Sequence, residues 1–281
     1  MLYSTLAFAL MNVFIKQLSH LPAMEIVFFR CLISLLACLY GLRFTNVNPL
    51  GNNRLMLVLR GTFGTVALYT FFLTIQNVPL ANAVTIQYLS PIFTTIIAIF
   101  LLGERVLKLQ WLFYALSFIG ILVIKGFDSN FPAAYFITGI ASAFFSGLAY
   151  NLVRSLRESE HPLVIVLHFQ IVGVVAGFIF TIFNWVTPQG IDWLYLLLTG
   201  IFTQIGQVHL TRALQAEKIA KVSILNYLGI IYALLFGWFI FGETYTLQTI
   251  IGIMLVVTGV ILSVLYNQRR TNIAELEVTK G

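Results

Sequence analysis

Gln87-Tyr88 and Asn226-Tyr227 stand 139 residues apart, one pair in each half of the sequence. Each joins a carboxamide, which donates and accepts hydrogen bonds, to a phenol ring that can stack on a flat solute or face a cation. Both pairs lie in apolar runs, where a polar side chain costs free energy unless it pairs or faces water. The chemistry open to them is recognition of a small polar solute, and they are the sharpest candidates for a substrate path. Asn12, Tyr150-Asn151, Gln204, Gln207 and Tyr69 lie in comparable runs, and Asn151 is the counterpart of Asn12 at the same 139-residue offset. Gln204 and Gln207, three apart, read as one polar helix face. Against each stands a plainer reading as interhelical glue, worth about 0.6 kcal/mol per hydrogen bond on average. His168 and Gln170 read as packed hydrogen-bonding groups.

The charged residues inside these runs are few. Arg30 is the costliest to bury, and Glu25 stands five residues before it. A structural ion pair between them, or a side chain reaching back to the interface, is favoured over an anion-binding or gating charge. Cys31 and Cys38 read as buried free thiols. Glu104 and Glu243 each follow a glycine and read as caps for the helix that comes next, where the helix dipole favours a carboxylate.

The elements that hold these residues follow from composition. Of 281 residues, 59% are hydrophobic and 9% charged, against about 25% charged in a soluble domain. Such a chain must face lipid. The net charge of +6 would suggest a nucleic-acid partner in a soluble protein, but here the basic residues sit in short loops, so their meaning is topological and no nucleic acid is expected. Apolar runs of about 20 residues place spanning helices at 2–18, 22–42, 55–76, 80–102, 107–124, 134–154, 162–185, 192–213, 219–241 and 245–266. No cleavable leader is evident, and the first run is read as a spanning helix. Arg43, Arg54, Arg105, Lys108, Arg154, Arg157, Lys218 and Lys221 share one side with the tail's Arg269, Arg270 and Lys280, against Lys16 and Lys125 opposite. Both termini are therefore expected in the cytoplasm.

Sliding the chain by 139 residues also sets Gly61 on Gly200, Gln76 on Gln215, Gly103-Glu104 on Gly242-Glu243 and Gly120 on Gly259. The expected fold is an all-α polytopic membrane protein, with ten transmembrane helices as two inverted five-helix repeats. The repeats are 1–125 and 134–266, and 267–281 is a polar, mobile cytoplasmic tail. Five is odd, so the second repeat enters the bilayer upside-down, and inverted repeats can exchange conformations to open a central site to either side.

The ordered set FALMNVFIK, PAMEIVFFR, Tyr88-Leu89-Ser90-Pro91, Gly103-Glu104 and Gly242-Glu243 resembles the drug/metabolite transporter superfamily, specifically its EamA-type carriers. The likeness covers essentially the whole chain before the tail. It implies a central cavity lined by helices 1, 3, 4, 6, 8 and 9, and cargo such as amino acids, nucleoside-related metabolites, cationic compounds or S-adenosylmethionine. Helix 1 lacks the Trp-Gly that many relatives carry there. Gly229-Ile230 stands where the first half has Ser90-Pro91, so the proline kink is not duplicated.

No phosphate-cradling GxxxxGKS/T loop, metal-spaced His/Cys cluster, GxSxG elbow or HExxH appears, and paired intramembrane carboxylates are missing. The expectation is a secondary-active or facilitative transporter, not an enzyme, working without a cofactor. Its substrate is a small polar or cationic metabolite met by carboxamides and Tyr rings rather than fixed charge. The alternatives are an intramembrane enzyme acting on lipid and a non-transporting scaffold. A bacterial inner membrane is the expected location. The lipid bilayer and a small-molecule substrate are the expected partners, and a monomer is compatible with the pattern.

Overall fold

A computed structural model of the protein describes residues 2–45, 47–102, 108–126, 132–216 and 228–278, within which every regular element is a helix. In chain order these are α1 (Leu2–Gln17), α2 (Ala23–Leu42), α3 (Arg54–Asn77), α4 (Leu80–Gln87), α5 (Ser90–Leu102), α6 (Lys108–Lys125), α7 (Ala133–Ser155), α8 (Pro162–Phe183), α9 (Asp192–Ala216), α10 (Leu228–Phe241) and α11 (Leu247–Val278). Asn226, Tyr227, Gly103, Glu104, Arg105, Lys218 and Lys221 lie outside the described residues.

Among the described residues seven segments are long and apolar enough to cross a membrane: α2, α3, the α4–α5 stretch Leu80–Leu101, α6, α7, α8 and Leu247–Tyr266 of α11. α9 is 25 residues long but is not among them, because Gln204, Gln207, His209 and Arg212 dilute its apolar character. Large apolar side chains cover the outside, Phe100 at 82% and Phe183 at 81% exposure among them. All four Trp are about half exposed, as aromatic side chains at a bilayer interface are. A surface this apolar would drive aggregation in water and matches lipid. The chain is a polytopic integral membrane protein.

Where residues 80–102 read as one helix, the structure has two. Pro91 has no N–H for the Gln87 carbonyl, and its ring crowds that carbonyl. The chain turns through Tyr88 at φ −72° and ψ 1° and restarts at Ser90. Gly126 (φ 50°) and Gly242 (φ 62°) follow the ends of α6 and α10 in left-handed conformation, where glycine has no Cβ penalty. The expected polar tail begins as a continuation of α11 to Val278. Its sequence there is rich in good helix formers and holds neither Gly nor Pro before Val278.

The helices pack chiefly as α6 on α11, α3 on α7, α2 on α8 and α1 on α9. Many contacts recur when both partners are moved by 139 residues. The Gln76 carboxamide donates to the Leu21 carbonyl at 2.9 Å, and Gln215 donates to that of Glu160 at 3.0 Å. A Cβ added at Gly120 would meet the Gly252 carbonyl at 2.7 Å, and one at Gly259 the Phe113 carbonyl at 2.6 Å. Gly61 lies against Val172 and Gly200 against Ile33 in the same way. Small residues let these backbones approach, as in other membrane helix pairs.

Candidate functional site

A cavity of about 1180 Å³, counting its open mouth, lies where α1, α3, α4, α5, α7 and α9 converge, with Arg30 of α2 and Phe169 of α8 in its lining. Tyr150, Leu210 and Leu214 line it as well. At the face where α1 ends the bundle is closed. Ile15, Leu18, Ile26, Phe72, Ile75 and Leu80 are fully buried there. Lys16 pairs with Glu243 and also donates to the Val78 carbonyl at 2.8 Å. Both Glu243 carboxylate oxygens accept from the Leu80 N–H at 2.9 Å, and the Tyr245 hydroxyl donates to one of them at 2.9 Å. Glu243 therefore caps α4, not the helix that follows it, and ties the ends of α1 and α10 to the start of α4. A capping carboxylate finds any helix N-terminus within reach, and here the reachable one is 163 residues away.

Of the residues singled out in the sequence, Asn12, Gln87, Tyr88, Tyr150 and Gln207 line the cavity. Gln87 is held by α7: its Nε2 donates to Ser146 Oγ and its Oε1 accepts from Ser142 Oγ, both at 2.7 Å. Asn12 Oδ1 and Gln207 Oε1 are buried without a partner. Three others turn elsewhere. Asn151 donates to the carbonyls of Thr94 (2.9 Å) and Gly147 (3.0 Å), joining α7 to α5. Gln204 accepts from Ser34 Oγ at 2.6 Å, and Gln170 donates to the same hydroxyl at 2.7 Å, which links α8, α2 and α9. Tyr69 tilts against Phe180 of α8 at 6.2 Å. Asn226 and Tyr227 lie outside the described residues.

The sequence reading favoured an ion pair or an interface position for Arg30 over an anion-binding charge, and did not place Arg60 among the site candidates. The expected Arg30–Glu25 pair does not form. Glu25 Oε2 accepts from the Val186 N–H at 3.1 Å. Arg30 points into the bundle at 0% exposure, with Nε donating to Thr203 Oγ1 at 2.8 Å. Nor does Arg30 reach the interface. Arg60 of α3 is buried too, at 3%. Its guanidinium lies 4.2 Å from the centre of the Phe169 ring, and that of Arg30 lies 5.4 Å from the same centre. Both arginines line the cavity, so the expectation of a cavity without fixed charge does not match the pocket found. Among the described residues, no three His, Cys, Asp or Glu side chains gather where they could hold a metal ion.

A helical membrane bundle around a buried, polar-lined cavity is the architecture of a small-molecule transporter. The model of the EamA-like transporter family matches residues 1–126 and again residues 133–265; the chain belongs to that family. The pseudopaline exporter CntI of Pseudomonas aeruginosa is 31% identical over 261 residues, 92% of each chain. Human solute carrier family 35 member G1 is 28% identical over 277 residues, 92% of this chain and 76% of the human protein. A solved crystal structure 18% identical in sequence matches with a TM-score of 0.67, covering 95% of this chain and 98% of that one. That last likeness is one of fold.

Proposed function

We propose that the protein is an alternating-access carrier, secondary-active or facilitative, for a small polar metabolite. The observation that carries this is a polar cavity lined by Asn12, Arg30, Arg60, Gln87, Tyr150 and Gln207 inside the bundle, beside a face where α1 ends that is packed shut and held by the Glu243 latch. In this reading the chain crosses the membrane ten times as two inverted five-helix repeats, with α4–α5 as one broken crossing. The double match of the family model and the contacts that recur at a 139-residue offset support it. Asn12, Gln87, Tyr88, Tyr150 and Gln207 contact substrate, and Asn226-Tyr227 remain proposed for the same path. The membrane is the inner membrane of a bacterium, with both termini cytoplasmic. Amino acids and nucleoside-like or S-adenosylmethionine-like solutes are the classes to try first. The cationic solutes among them fit less well, since two arginines line the cavity.

Purified protein in liposomes, given a panel of labelled metabolites with and without a pH gradient, tests the carrier. Expected is saturable uptake that falls about tenfold in Gln207→Ala, the scale of one lost hydrogen bond. Absence of flux for every solute, beside thermal stabilisation by a lipid, would favour an intramembrane enzyme or a scaffold instead.

A further inference from the structure

We infer that the cavity takes an organic anion, a dicarboxylate on a carbon skeleton, and that Arg30 and Arg60 anchor it. The inference rests on the carrier reading and names its substrate class. Arginine keeps its charge even when buried, so the cavity lining holds two positive charges that both lie against the Phe169 ring. Among the described residues neither has a carboxylate partner. The described ion pairs are Lys16–Glu243, His20–Asp192 and Arg157–Glu158, Glu25 is engaged by Val186, and among the described residues no Asp or Glu lines the cavity.

Beyond the Arg30 bonds to Thr203 and Cys31, donors of both arginines remain unused. Arg30 Nη2 and Arg60 Nε and Nη1 are buried and make no hydrogen bond. A buried charge without a counter-ion is strongly unfavourable, and two in one low-dielectric space repel each other as well. A solute with two carboxylates neutralises both, and the planar guanidinium fork matches carboxylate geometry. Asn12 Oδ1 and Gln207 Oε1, also unpartnered, add acceptors for an amine or hydroxyl on the same molecule. Phe8, Met11, Phe71 and Leu210 on the walls suit a carbon skeleton better than a bare inorganic ion. A cation entering this space meets repulsion.

The test separates binding from transport. Thermal unfolding of the purified protein in lipid nanodiscs is followed with succinate, glutamate, glycerol phosphate and choline, and the same solutes are offered to proteoliposomes. Expected is stabilisation by the dicarboxylates, weakened at least tenfold in apparent affinity by Arg60→Gln and by Arg30→Gln, and partly retained by Arg60→Lys. Ligand-free Arg60→Gln should melt no lower than the parent, because relief of a buried charge with no described counter-ion offsets the lost contact with Phe169. A structural arginine would instead give a lower melting temperature with unchanged ligand preference, and that result overturns the assignment. So do stabilisation by choline alone, by glycerol phosphate without the dicarboxylates, or by none of the four. Dicarboxylates that bind but are not carried would leave the anion site standing and remove the carrier. Flux of choline without binding of an anion would do the reverse.

Discussion

Asn151 and Gln207 carry the same carboxamide chemistry to different ends. Asn151 spends its amide on two backbone carbonyls, whereas Gln207 faces the cavity with its oxygen unpaired. Asn151→Ala should lower stability by about 1–3 kcal/mol, since two carbonyls lose their donor, and leave KM unchanged. Gln207→Ala should raise KM at little cost to the melting temperature. Thermal unfolding beside uptake kinetics checks both. Residue types at depth were legible in the sequence, but their directions were not. Three residues along a helix is an angular step of roughly 60°, enough to send Gln204 to Ser34 and Gln207 to the cavity. The same geometry undoes the Arg30–Glu25 pair: five residues apart, the two side chains leave the helix roughly 140° apart. The cost of burying Arg30 was plain from its position, and its surroundings, Thr203 of α9, Phe169 of α8 and the cavity, needed those helices to be brought together.

Elements decide what those residues can do. α4 and α5 meet at Tyr88-Leu89 because Pro91 breaks the ladder, and this sets Gln87 and Tyr88 at a helix end on the cavity wall. The proline was visible in the sequence, and the break lies within one turn of it. The Gly-Glu repeat was visible too, but the partners of Glu243 come from α1 and α4, which local sequence cannot indicate. Glu243→Gln should loosen the closed face by removing the counter-ion of Lys16. A cysteine placed at Leu18, buried in the parent, should then react faster with a small maleimide. Unchanged labelling would mean that the packed side chains alone hold that face shut. Gly120→Leu and Gly259→Leu should each destabilise the α6–α11 pair by about 1–3 kcal/mol or more, because the added carbons meet backbone carbonyls that have no room to yield.

At the scale of the whole molecule, composition alone made the membrane legible, since 9% charged residues cannot cover a chain of this length in water. The ten apolar runs and the described helices agree to within a few residues at most ends. The 139-residue offset that aligns Gln76 with Gln215 in sequence also relates their bonds in space. What composition hid is the charge of the cavity, because Arg60 near the start of α3 does not stand out among the loop arginines, and Arg30 alone does not show that it faces a cavity. The proposed motion exchanges which face is closed, so a residue in the cavity should be reachable from both sides of the membrane in turn. Met11, on the cavity wall at mid-helix in α1, is the position to mark. A single cysteine there, in a background lacking Cys31 and Cys38, is labelled with a membrane-impermeant maleimide from either side of oriented vesicles. Labelling from both sides, with the ratio shifted by a transported solute, is the expected result. Labelling from one side only, whatever solute is present, would contradict alternating access at this cavity.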